Sequence, residues 1–139
     1  MQTMLGSGGA IANHLAKELR KYSSEIRLVS RNPKKVNETD EIFPADLTDK
    51  ELVGKAVKGS EVVYLTAGLP YNIKIWKSDW PVIMQNVIDA CVQHNARLVF
   101  FDNVYAYSPD EVSHMTENSA KQPATRKGKV RLDLINMIF

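Results

Sequence analysis

Apolar residues occur in this chain in two alternating styles: short continuous runs, and longer stretches in which they recur every three or four positions. The runs "QTML" (2–5), "IRLVS" (26–30), a pair around Ile42 and Phe43, "EVVYLTAG" (61–68) and "ARLVFFDNVYAY" (96–107) predict strands. Between Ala10 and Leu19, the residues Ile11, Leu15, Ala16 and Leu19 share one helical face, with Lys17, Glu18 and Arg20 off it. Thr48, with Glu51 three positions later, makes a capping box for a second helix. Its apolar stripe is Leu52, Val53, Ala56 and Val57, and Gly59 stands at its end. A longer helix is predicted from about Ser78 to His94, with Pro81 in its first turn and Asn95 as its stop. Residues 108–123 read as a polar loop, and "KGKVRLDLINMIF" (127–139) opens a last helix. Strands separated by helices predict a parallel sheet covered on both faces, because parallel neighbours need a crossover. The fold class is therefore α/β and doubly wound.

Composition narrows the function classes. A chain of 139 residues supports one domain with a real core, here residues 1–139 as a single unit. With 18 basic and 16 acidic residues the net charge is only +2, which argues against a strongly basic nucleic-acid protein. The basic residues do gather near the end, in "KQPATRKGKVR" (121–131). The one cysteine, Cys91, makes no internal disulfide and suits a reducing, cytoplasmic setting. It lies in an apolar stretch, where a buried thiol is expected. No stretch reads as a signal peptide or a membrane span. His14, His94 and His114 lack metal-ligand spacing, so no metal site is expected.

Candidate chemistry sits at the first turn, "MLGSGGAIANHL" (4–15). In a doubly wound sheet the turn after the first strand lies at the carboxyl edge, where ligands bind. Gly6, Gly9 and Ala12 fit G-x-x-G-x-x-A. In that pattern Gly6 makes the bend, Gly9 lets a pyrophosphate approach and Ala12 lets the helix pack. Unpaired amides and the helix dipole then favour the anion. The other reading is a flexible leader of small residues. Where the second strand ends, a carboxylate would grip the ribose of NAD, but the chain has Ser30 followed by Arg31. A guanidinium there suits a phosphate and predicts NADP, with NAD as the alternative cofactor. Arg31 as an ordinary solvated arginine is the competing reading.

Five stretches in order, "LGSGGAIANHLAKEL", "IRLVSRNP", "ADLTD", "VVYLTAG" and "RLVFFDNVYAYSP", resemble the short-chain dehydrogenase/reductase superfamily. The nearest resemblance is to its extended and atypical branches, the NAD-dependent epimerase/dehydratases. The resemblance implies a Rossmann-type sheet, here ending after the fifth strand without the family's C-terminal substrate region. It implies that Gly6, Gly8, Gly9, Ala10 and Ile11 hold the dinucleotide and that Asp46 and Leu47 line the adenine. It also implies that Thr66, Ala67 and Gly68 run beside the nicotinamide ribose. Asp46 reads equally as a turn or capping residue, and the two roles are compatible.

The family's chemistry uses a Ser or Thr after the fifth strand, and a Tyr with a Lys four residues later. Here the resemblance puts Asn103 at the first position, Lys127 where Tyr belongs and Arg131 where Lys belongs. An amide still donates to a substrate carbonyl. A lysine moves a proton only in its neutral form, which burial or neighbouring cations favour. Tyr105 is the other candidate acid, and packing beneath a loop is its alternative. For Lys127 the alternative is a solvated helix start. Asn103, Tyr105 and Lys127 are thus the catalytic candidates.

Three functions follow. One is an NADP-dependent oxidoreductase or epimerase/dehydratase, present as its cofactor-binding part and acting on an unidentified small molecule. Another is a non-catalytic NAD(P)-binding sensor. The third is an interaction module anchored by Trp76 and Trp80. The resemblance further implies a homodimer through the helix 78–94, while the near-neutral charge and the lack of a long apolar stretch predict no nucleic-acid or membrane partner.

Overall fold

Strand pairing sets the frame. The computed structural model describes residues 1–139, with strands β1 (Gln2–Leu5), β2 (Ile26–Ser30), β3 (Glu41–Pro44), β4 (Val62–Leu65) and β5 (Arg97–Phe100). They form one sheet in the order β3-β2-β1-β4-β5, and every pairing is parallel. Four helices are present: α1 (Ala10–Leu19), α2 (Lys50–Val57), α3 (Ile73–Gln93) and α4 (Arg126–Ile138). The predicted Rossmann-type, doubly wound fold is what forms.

Winding direction explains the two faces. The connection β1–α1–β2 steps toward β3, whereas β3–α2–β4 and β4–α3–β5 step the other way. Right-handed crossovers that move in opposite directions place their helices on opposite faces. Side chains divide accordingly. Met4, Ile26 and Leu28 pack with Ala12, Ala16 and Leu19 of α1. Their strand neighbours Thr3, Leu5, Val29, Val63 and Leu65 are buried on the other side. There Lys50 bonds Asp89 and the Asn86 amide bonds the Leu47 carbonyl, which ties the start of α2 to α3.

Several local expectations change. Ile11 is 47% exposed, and the buried stripe of α1 is Ala12, Ala16 and Leu19. The α2 cap is Asp49, whose side chain accepts from the Leu52 amide at 3.0 Å. Thr48 instead turns its hydroxyl to Asp46, so no capping box forms. Gly59 does end α2, at φ +80°. α3 begins at Ile73, not Ser78, and Pro81 lies inside it. Trp76 and Trp80 are 5% and 2% exposed, so both side chains belong to the core and not to an exposed surface. Asn95 does stop α3: it takes φ +53°, and Ala96 donates back to Cys91 across the turn. The loop expected over 108–123 contains a single 3-10 turn, Pro109–Glu111.

The chain separates into two compact units. One is Met1–Gly68 with Gln85–Phe101 and holds the sheet. The other is Leu69–Met84 with Asp102–Phe139, whose interior includes Trp76, Trp80, Ala106, Val130 and Leu134. No helix is long and apolar enough to cross a membrane.

Candidate functional site

In the sheet unit, the carboxyl ends of β1, β2, β3 and β4 carry all eleven of the residues singled out for the cofactor. After β1 the backbone bends sharply. Gly6 has φ +96° and Gly8 φ +100°, conformations that side chains other than hydrogen resist. A Cβ on Gly6 would lie 2.3 Å from the Ala67 Cα, so this glycine permits the β1 and β4 turns to touch. Thr66 reinforces the contact, because its amide bonds the Leu5 carbonyl at 2.9 Å. Gly8 and Gly9 differ: a Cβ on either meets nothing within 4 Å. Their open side is the side a ligand would approach.

The amides Gly6 and Ser7 bond the Val29 carbonyl, which fixes the bend against β2. The amides from Gly8 to Ala12 have no acceptor within the chain, and the Gly9 cap has no side chain to supply one. Unsatisfied amides at a helix start, with the positive dipole end behind them, suit an anion. A pyrophosphate fits this turn. Ile11, exposed beside it, offers an apolar surface.

Arg31 follows β2 and is exposed. The loop behind it is shaped by buried Asp40, which accepts from the Val36 and Asn37 amides at 3.0 and 2.7 Å. Asn37 in turn donates to the Ala16 carbonyl at 3.1 Å. Asp46 accepts from the Thr48 amide and hydroxyl, at 2.9 and 2.8 Å. The amide first, then the hydroxyl, holds its carboxyl below the usual range despite slight burial, and Arg31 adds to this. Leu47 is 8% exposed and packs inward, while Gly68 is exposed.

The catalytic candidates belong to the other unit. Asn103 caps the 3-10 turn Val104–Ala106, its Oδ1 accepting from the Tyr105 amide at 3.0 Å. Its side-chain NH2 remains the donor. Tyr105 and Lys127 come together around a residue that sequence reasoning missed, Tyr71. The Lys127 Nζ lies 3.1 Å from the Tyr71 ring centroid, and the Tyr71 and Tyr105 rings meet edge-on at 6.4 Å. Hydrogen bonding to Tyr71 is the main cause that pushes the Tyr105 phenol above the tyrosine range; Lys127 opposes it weakly. Trp76 stacks on Tyr105 at 6.3 Å. No spacing marks Tyr71 beforehand; only folding brings it to residues more than thirty positions away.

α4 is set in place by its cap and by a buried ion pair, among other contacts. Thr125 caps it, accepting from the Gly128 amide at 2.9 Å. Arg131, 3% exposed, pairs with Asp102 through Nε and Nη2 and lies 4.7 Å from the Trp80 ring. Arg131 is therefore structural in this arrangement. A cavity of about 280 Å³ opens among Tyr71, Ile73, Tyr105, Thr125, Arg126 and Lys127.

The profile of the NAD(P)H-binding family matches residues 6–133. No curated protein sequence matches significantly. Among solved structures, uronate dehydrogenase from Agrobacterium tumefaciens is 18% identical and superposes with a TM-score of 0.84 over 98% of this chain and 53% of its own. A UDP-galactose 4-epimerase is 23% identical, with TM-score 0.83 over 99% of this chain and 50% of its own. A Thermus thermophilus UDP-glucose 4-epimerase in complex with NAD is 21% identical, with TM-score 0.79 over 99% and 50%. At these identities the likeness is one of fold, and the chain spans about half the length of the structures it resembles. With its glycine bend, its uncapped first helix and a family match over residues 6–133, the chain belongs to the NAD(P)H-binding family, on the fold of the extended short-chain dehydrogenases and epimerases.

Proposed function

We propose that this chain is the cofactor-binding part of an NADP-dependent oxidoreductase or epimerase/dehydratase of the short-chain dehydrogenase type. The observation that carries the reading is the row of unpaired amides from Gly8 to Ala12 at the end of β1, with Ser30, followed by Arg31, where an NAD-specific site has a carboxylate. In this reading those amides bind the pyrophosphate and Arg31 grips the 2′-phosphate. Asp46 and Leu47 border the adenine, and the Thr66–Gly68 turn borders the nicotinamide ribose. The bound nicotinamide supplies a hydride donor or acceptor. Asn103 donates through its side-chain NH2 to a substrate oxygen, and Tyr105 holds a proton near it. Lys127 occupies the position of the usual tyrosine, and its ammonium rests on the Tyr71 ring.

That last contact, with a Tyr105 phenol pushed upward, favours a second reading. A proton-abstracting phenolate is harder to form here, which suits an NADP-binding sensor without turnover. Calorimetry with NADP and NAD separates these ideas. Tighter NADP binding is expected, and Arg31→Ala should weaken NADP about tenfold or more while sparing NAD, since charge-assisted hydrogen bonds contribute about 1.5–3 kcal/mol. Failure to bind either dinucleotide sinks both readings. Nicotinamide absorbance changes with carbonyl or sugar-nucleotide substrates then distinguish enzyme from sensor. A second copy packed along residues 78–94 belongs to the same proposal, and sedimentation showing only monomer would remove it.

A further inference from the structure

The cavity in the second unit has a consistent chemistry. Two of its six lining side chains, Arg126 and Lys127, are cationic, and none is acidic. The nearby carboxylate Asp102 is already committed to Arg131. Lys127 is held by its 3.1 Å contact to the Tyr71 ring, a fixed positive charge over a flat surface. Tyr71 and Ile73 add apolar walls, and the hydroxyls of Tyr71, Tyr105 and Thr125 add donors. Cations, donors and aromatic faces without a carboxylate exclude a cationic ligand and favour an anionic one.

We propose that this cavity binds a small organic anion, its carboxylate or phosphate held by Arg126 and Lys127 and its flat or apolar body by Tyr71, Tyr105 and Ile73. The volume of about 280 Å³ suits a single-ring compound. The inference names the substrate or effector class for the activity proposed above and, in that role, rests on that reading; anion capture itself is measured separately.

Amide NMR spectra of the 139-residue chain would be recorded during titration with benzoate, phenyl phosphate and the neutral isostere benzamide, at constant ionic strength. Saturable shifts at Tyr71, Tyr105, Arg126 and Lys127 are expected with at least one anion, and far weaker ones with benzamide. The tighter of the two anions identifies a carboxylate or a phosphate as the natural group. The double variant Arg126→Gln, Lys127→Gln should lose about tenfold or more in anion affinity. Equal response to benzamide overturns the proposal. So does unchanged affinity in a double variant whose other resonances match the parent chain. NADP added to the same samples is read at Gly8 to Ala12. An NADP response without an anion response overturns the cavity assignment alone. An anion response without an NADP response supports the cavity and overturns the cofactor reading.

Discussion

Two glycines two residues apart, Gly6 and Gly8, illustrate how differently a residue can be required. At Gly6 any Cβ collides with the Ala67 backbone at 2.3 Å, and φ is +96°. At Gly8 φ is +100° but the space is open. Gly6→Ala should therefore combine backbone strain with overlap and lose about 3 kcal/mol or more. Gly8→Ala should lose only about 1–2 kcal/mol from strain. Urea unfolding of the two variants checks the order, and equal losses would contradict the steric account. The glycine spacing was legible in sequence, because tight bends and close approaches admit few other residues. The division of labour was not, because it depends on Ala67, sixty-one positions away. The site in the second unit was half legible for the same reason. Tyr105 and Lys127 stand in recognisable surroundings, whereas Tyr71 acquires meaning only through its contacts with them.

Elements were read best where signals did not compete. β1, β2, β4 and β5 each lie within a predicted apolar run, and β3 forms around the predicted pair Ile42 and Phe43. The central strands β1, β2 and β4 together bury most of their side chains and leave little choice of residue. At α2 two hydroxyl- or carboxyl-bearing residues competed for one cap, and Asp49 won while Thr48 served Asp46. Asp49→Ala should cost about 1 kcal/mol and Thr48→Ala only a few tenths, measured by thermal unfolding. The reverse order would restore the capping box. At α3 a proline misled. Pro81 reads as a first-turn residue, yet Trp76, Trp80, Met84, Val87 and Cys91 continue one buried stripe through it. The stripe was present in the sequence and outweighs one lost hydrogen bond. α4 depends on a buried charge. Asp102→Ala removes the carboxylate that Arg131 pairs with and should cost about 3 kcal/mol in urea unfolding. A loss below 1 kcal/mol would mean that this pair behaves like an exposed one.

For the molecule as a whole, topology was the most legible property and surface chemistry the least. Alternating periodicities determine a doubly wound sheet, because parallel strands demand crossovers and crossovers have one hand. Global stability also carries a pH signature. Burial pushes the Cys91 thiol up to about 11 from 9.0, so folding favours its neutral form. That contribution is complete below pH 9 and is lost as pH rises toward and through about 11. Stability measured across this window should fall, and Cys91→Ala should show a shallower slope. An identical slope would assign the alkaline loss to other groups. Native protein at neutral pH should also resist thiol reagents until it unfolds.

Because that single sulfur is shut inside, the chain is already a blank background for site-specific labelling. A cysteine introduced at Ile11, exposed at the first turn of α1, would be the one reactive thiol on the folded protein. An environment-sensitive dye attached there would turn occupancy of the glycine bend into a fluorescence signal, with no need to protect or remove the native residue.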